Sequence, residues 1–227
     1  MRSRAISGLL ILTVLLFMTS WLEASSADAQ DLLAGIQKRY GPLSSLSVPY
    51  TREVITRSMA MLGEKVKGDL ATGTLYFMPP NLLRLEQQSP REESLLSDGE
   101  RLWWYIPEKK KAYLYDLGEF GREMALLASI FKGLSNAEDN FIVKVPSSGE
   151  DAEKRLELVP DPPWEEIEKI TLGIMEQSRI GLVAIHNKLG GVTRFSLGTT
   201  EESKPLERDF FSFDPPQGVE VVREDGR

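Results

Sequence analysis

The sequence predicts a mainly β protein, an antiparallel sheet closing toward a barrel and interrupted by two helices. Three observations predict it. Short apolar stretches with strand-like composition recur at spacings of roughly ten residues, with turn residues between them. Only two stretches carry a helical period. No repeat, linker or break in composition divides the chain, and 227 residues are enough for one domain with a full core.

The elements follow in order. Arg2 and Arg4 make a positive start, Ala5 to Met18 is almost wholly apolar, and Ser26-Ala27-Asp28-Ala29 offers small residues at the two positions a signal peptidase reads. This is the pattern of a secretion signal over residues 1–29, cleaved before Gln30. The competing reading is an uncleaved anchor. A span needs about 20 apolar residues, reached here only by counting Trp21 and Leu22 across Thr19 and Ser20. The cleavage site favours removal, which leaves residues 30–227 as a single domain.

Gln30 to Tyr40 reads as a helix, since Leu32, Leu33, Ile36 and Tyr40 recur at helical spacing before Gly41-Pro42 stops the pattern. Strands are expected over Val48 to Thr56, Lys65 to Met78, Leu82 to Gln88, Glu93 to Ser97, Leu102 to Ile106 and Ala112 to Asp116. Asp98-Gly99 marks a hairpin between two of them. Glu119 to Lys132 reads as the second helix, with a broad apolar stripe through Phe120, Met124, Leu126, Leu127, Ile130 and Phe131, ended by Gly133. So apolar a helix must cover a greasy surface. Strands resume over Phe141 to Val145, Arg155 to Val159, Ile167 to Met175, Gly181 to His186, Val192 to Leu197 and Arg208 to Phe213.

Charge and cysteine usage narrow the function. The net charge is −7, and the signal carries two basic and two acidic residues (Arg2, Arg4, Glu23, Asp28), so maturation leaves it unchanged. An acidic surface is repelled by phosphates and by anionic headgroups, which argues against nucleic acid and against electrostatic adsorption to a membrane. The run Lys109-Lys110-Lys111 falls in a hairpin beside Glu108. With no cysteine the fold relies on its core rather than on disulfides. The chain also lacks the N-terminal cysteine that bacterial lipidation requires.

Catalytic constellations are weak. His186 is the lone histidine, placed at the end of an apolar strand, and reads as an ordinary strand-end residue. No Gly-x-Ser-x-Gly elbow or phosphate-cradling glycine loop occurs. A metal site built on one histidine is a poor start, and Glu150-Asp151 and Glu165-Glu166 read as solvated charge. The sequence therefore predicts no enzyme, no metal and no cofactor.

Three segments are distinctive in their order: Gly73-Thr74-Leu75-Tyr76-Phe77-Met78-Pro79-Pro80-Asn81-Leu82-Leu83-Arg84-Leu85, then Leu95 to Pro107 with Ser97-Asp98-Gly99 and Trp103-Trp104-Tyr105, then Phe211-Ser212-Phe213-Asp214-Pro215-Pro216-Gln217-Gly218-Val219-Glu220-Val221. Together they resemble the outer-membrane lipoprotein carrier family, the LolA type, over roughly Asp31 to Val222. The resemblance implies an incomplete antiparallel β-barrel whose concave side is covered by short α-helices. It also implies a periplasmic chaperone that accepts acylated lipoproteins from an inner-membrane ABC-type release complex. The cargo then passes to an outer-membrane lipoprotein receptor, and the carrier works as a monomer. The missing lipidation cysteine favours the carrier over the receptor. A carrier of another lipid or glycolipid, and a half-barrel envelope sensor, are the alternatives.

One departure stands out. The family often places an arginine immediately before the proline of the first motif, where it latches the lid, and this chain has Pro79 there, which offers no donor. Strand parity separates Leu75, Phe77, Leu83, Leu85, Leu102 and Trp104 from their polar neighbours; they read either as the acyl-binding concavity that the resemblance implies or as a plain core between sheet and helices. Leu33, Ile36, Met124, Leu127, Ile130 and Phe131 are assigned to the lid. Three long acyl chains fully buried would contribute roughly 30 kcal/mol or more, at about 0.8 kcal/mol per CH₂. Non-covalent affinities saturate near ~20 kcal/mol, so the reading requires a shallow cavity that covers its ligand incompletely.

Overall fold

A computed structural model describes residues 28–61, 67–116, 122–146, 154–203 and 205–224. Helix α1 (residues 28–40) leads into β1 (Leu46–Ile55), the short α2 (Arg57–Met61), then β2 (Asp69–Met78), β3 (Leu82–Ser89), β4 (Glu93–Ser97), β5 (Arg101–Ile106) and β6 (Lys111–Asp116). Helix α3 (Arg122–Phe131) and the one-turn α4 (Ala137–Asn140) follow. Five further strands complete the second half: β7 (Phe141–Lys144), β8 (Lys154–Pro160), β9 (Ile167–Ile174), β10 (Ile180–Asn187) and β11 (Val192–Leu197). The chain ends with β12 (Glu201–Glu202) and β13 (Glu220–Glu224).

The strands form one sheet in the order β13-β6-β5-β4-β3-β2-β1-β11-β10-β9-β8-β7, with β12 pairing onto β1. Two antiparallel meanders, β2 to β6 and β7 to β11, are thus joined through the central β1, which pairs β2 on one side and β11 on the other. Every pairing is antiparallel except β13, which runs parallel to β6. The sheet curls but does not close: β13 and β7 are its two edges. Helices α1 and α3 fill the concave side, so the fold is an incomplete barrel with a helical cover.

Local chemistry explains the boundaries. Gly41 ends α1, its N–H donating to Gln37 O at 2.9 Å. Gly133 sits at φ +89°, the left-handed turn that stops α3, and Leu134 N–H reaches back to Ser129 O at 3.0 Å. The β4–β5 hairpin uses Asp98-Gly99: the Asp98 carboxylate accepts from the N–H groups of Glu100 at 2.9 Å and Arg101 at 2.7 Å. Burial alone would raise the Asp98 pKa, but these N–H groups and the Arg101 guanidinium outweigh it and hold the carboxyl below its usual value.

Two expectations fail. The strand over Arg208 to Phe213 is instead a single 3₁₀ turn (Arg208–Phe211) followed by extended chain. The N–H groups of Phe210 and Ser212 are taken up inside the turn, by Glu207 O and Asp209 O at 3.1 Å each, and Pro215-Pro216 carry no N–H for a ladder. The last strand lies further on, at Glu220–Glu224, where it adds to β6. The helices number more than two, since α2 and α4 were not foreseen; each spans barely one turn, too short for a periodic pattern. The expected signal and the first residues of the second helix, with Phe120, lie outside the described residues. Ala29, the residue before the expected cleavage point, is buried against the core.

Candidate functional site

The concave face is built in rows across the sheet. One row runs Leu46, Phe77, Leu83, Ser97, Leu102 and Tyr115, each paired with the next through the ladder register. Two residues along, the next row runs Val48, Leu75, Leu85, Leu95, Trp104 and Tyr113. These rows are the floor. The second meander continues it with Leu156, Ile170, Leu172, Val183 and Phe195, all buried in the same apolar cluster.

The cover comes from two helices. From α1, Ile36 and Tyr40 are buried and Leu33 is half-buried against the cluster. From α3, Met124, Leu126, Leu127, Ala128, Ile130 and Phe131 are buried. Phe131 joins the two helices and the floor, with its ring 6.1 Å from Tyr40 and 6.2 Å from Phe77. Eleven of the twelve residues singled out in the sequence lie in or against one apolar cluster, and Trp104 is the exception. Of the six floor residues, Leu75, Phe77, Leu83, Leu85 and Leu102 are buried, and Trp104 is half-buried at the margin. Trp103 and Tyr105 point to the opposite face, where both rings meet Phe213 at 5.2 and 5.1 Å.

This interior is shut. Leu75, Phe77, Leu83, Ile36 and Ile130 each have 0 % exposure, so the space a ligand needs is occupied by the helices' own side chains. Among the described residues, these five side chains are fully covered where the sequence leads one to expect a shallow cavity. Cavities flank the helices instead. One of about 230 Å³ is lined by Asn81, Gly99, Met124, Ala128 and Lys132, beneath α3. Another of about 450 Å³ lies between Leu32 of α1 and the turn at Ile174 to Ser178.

Arg39 and Tyr40 hold the cover where Pro79 offers nothing. The Tyr40 hydroxyl accepts a hydrogen bond from the Ile180 N–H at 2.9 Å, across 140 residues of chain. Burial raises the Tyr40 pKa, partly countered by that N–H and by Arg39. Arg39 donates to Gln177 O at 3.1 Å and forms an ion pair with Glu202 of β12. Gly35 lets the helix approach closely, since a Cβ there would lie 2.3 Å from Ser178 Oγ. Sequence periodicity had marked Tyr40 as helical but gave no sign of its partner, because that contact joins residues distant in the chain.

Beyond the second row the concave face turns polar. The third row holds Tyr50, Gly73, Gln87 and Glu93, and Arg52 lies one step further along β1. Trp104 Nε1–H donates to the Glu93 carboxylate at 3.1 Å, and Arg52 donates to Gln87 Oε1 at 3.0 Å. The convex face differs in its two halves. Over the first meander the C-terminal segment lies as a strap: Phe210 meets Tyr76 edge-on at 4.9 Å, and Arg84 stacks on Phe210 at 4.5 Å while donating to its carbonyl at 2.6 Å. Over the second meander the surface carries charge pairs, Lys169 with Glu157 at 2.7 Å and Arg194 with Glu53 at 2.9 Å. His186 belongs to that surface, bonded to Thr171 Oγ1 at 3.2 Å. Among the described residues no group of three or more His, Asp or Glu is placed to hold a metal ion, and no helix is long and apolar enough to cross a membrane.

Comparison with known proteins places this architecture. Residues 61–214 match the family model described as outer membrane lipoprotein carrier protein LolA. An outer-membrane lipoprotein carrier protein of Nitrosospira multiformis is 27 % identical over 156 residues, covering 68 % of this chain and 73 % of the relative. That of Proteus mirabilis is 27 % identical over 214 residues, covering 93 % and 96 %. A solved structure of an uncharacterized conserved protein from Thermus thermophilus aligns with a TM-score of 0.50 at 13 % identity, over 87 % of this chain and 99 % of its own. That last likeness bears on the fold alone.

Proposed function

The chain belongs to the LolA family of outer membrane lipoprotein carrier proteins, and from that premise we propose that it is a periplasmic chaperone for acylated lipoproteins. Exported by the signal over residues 1–29, it accepts them as an inner-membrane ABC-type complex releases them, and passes them to an outer-membrane receptor. The observation that carries the reading is the concave face. Two mainly apolar rows, with Leu46, Val48, Leu75, Phe77, Leu83 and Leu85 buried at their centre, form a floor covered by two helices whose own apolar stripes substitute for ligand.

Loading then exchanges one apolar filling for another. The floor stays dry in both states, and what changes is whether Met124, Leu127, Ile130 and Phe131 or acyl chains lie on it. Because helix burial is lost as chain burial is gained, the net affinity falls well short of the ~20 kcal/mol at which binding saturates, and release remains feasible.

A release assay tests this. Mature protein is added to spheroplasts holding newly made lipoproteins, and the soluble fraction is probed for complexes. A stoichiometric lipoprotein complex is the expected result. No release, together with a glycolipid or phospholipid found on the protein by mass spectrometry, would replace the cargo. No release and no bound lipid would overturn the carrier reading.

A further inference from the structure

We propose that the polar row beyond the apolar floor is a subsite for the ester and amide carbonyls that join acyl chains to the rest of an acylated ligand. The proposal rests on the carrier reading and adds what holds the ligand's polar end. Along β3 the same face changes from Leu83 and Leu85 to Gln87, and along β4 it changes from Ser97 and Leu95 to Glu93. At about 3.4 Å per residue, Leu83 to Gln87 spans about 14 Å. A chain lying on the floor therefore delivers its carbonyl end to this row.

The row is built as a site rather than as loose surface charge. Gln87 and Glu93 are each only 7 % exposed, a rare placement for polar groups on a concave wall otherwise made of leucine. Gln87 accepts from Arg52 at 3.0 Å and donates to Arg91 O at 3.0 Å. Glu93 accepts from Trp104 at 3.1 Å and pairs with Arg91 at 3.2 Å. Arg52 Nε is buried and, among the described residues, has no hydrogen-bond partner. A buried donor left unpaired costs about 1–3 kcal/mol, and a ligand carbonyl would satisfy it.

The second row, which adjoins the polar one, holds two aromatic residues, Trp104 and Tyr113. Trp104 lies 5.4 Å from Tyr113, and Tyr113 stacks on Tyr115 at 6.5 Å. Such rings, apolar in body and polar at the tip, suit the boundary between acyl chains and linkage groups. A free fatty acid brings one carboxylate to this row, beside the Glu93 carboxylate. A glyceryl-linked ligand brings several neutral carbonyls, which fit Arg52 without opposing Glu93.

The test compares two probes, a synthetic tripalmitoylated cysteinyl peptide and free palmitate, each displacing a fluorescent fatty-acid analogue from the mature protein. The variants are Arg52→Lys, which keeps the charge and removes the Nε–H, and Glu93→Gln, which keeps the shape. Thermal melts establish that both are folded. The expected result is a loss of about tenfold in lipopeptide affinity for Arg52→Lys, with palmitate affinity held within about twofold. Glu93→Gln narrows the preference for lipopeptide by strengthening palmitate. Parallel changes for both probes, or no change for either, would make the row a structural network and overturn the proposal. A wild-type protein that binds palmitate and lipopeptide equally overturns it too, while leaving the apolar floor intact. If the wild type binds neither probe, the carrier reading fails beneath it.

Discussion

The two covering helices are held by different forces. Helix α1 buries fewer side chains, yet it is clasped: Tyr40 accepts from Ile180 N–H, and Arg39 bonds Gln177 O and pairs with Glu202. In helix α3, Met124, Leu126, Leu127, Ala128, Ile130 and Phe131 are all buried, and among the described residues its attachment is apolar. Directional bonds are lost abruptly when a helix shifts, whereas apolar contact is non-directional and can be re-formed with any apolar partner. The contrast teaches that α3 is the half of the cover suited to move onto acyl chains, and α1 the half suited to stay.

The largest effect should come from breaking the place where the two helices meet. Phe131→Ala removes a ring 1 % exposed, in contact with Tyr40 and Phe77, and should lower the stability by about 3–5 kcal/mol, read from urea unfolding. Tyr40→Phe keeps the ring and strands the Ile180 N–H, at a cost of about 1–3 kcal/mol. It should also speed amide exchange in α1 more than in α3. If α3 responded as strongly as α1, the division of labour between the helices would be wrong.

Smaller effects sharpen the comparison. Arg39→Ala removes a partly exposed ion pair and should cost about 1 kcal/mol or less, which would place the weight of the clasp on Tyr40. The smallest effect concerns pH. Burial, helped by Lys169, lowers the His186 pKa below its ordinary value. The folded state then binds fewer protons than the unfolded one between the two pKa values, so stability is full above the unfolded value near ~6.5 and declines as pH falls through that window. His186→Asn should flatten this part of the stability–pH curve, as thermal melts from about pH 7 down to pH 5 would register, and leave ligand binding unchanged.

Much of this could be read from the sequence, because strand parity and helical period are local. Leu75 and Phe77 against Tyr76, and Leu102 and Trp104 against Trp103, sort by alternation alone, and the stripe Met124, Leu127, Ile130 and Phe131 sorts by turn. What was hidden depends on pairs far apart in the chain. Tyr40 with Ile180, Arg84 with Phe210, and β13 beside β6 follow from topology, which periodicity does not encode. The closed interior was hidden for another reason: an apolar floor looks the same in sequence whether helices or acyl chains cover it. The second meander's share of that floor was legible in the alternation of Leu156 and Leu158 and of Ile170 and Leu172, once a single interior is assumed.

Carriage in this form requires that ligand take the place of α3 on the apolar floor. Hydrogen exchange with and without the tripalmitoylated peptide tests it most directly. The expected result is faster exchange in α3 on binding, with protection retained in α1 and at the Ile180 amide. Saturating ligand that leaves α3 exchange unchanged would mean that the acyl chains bind elsewhere, and would contradict the account.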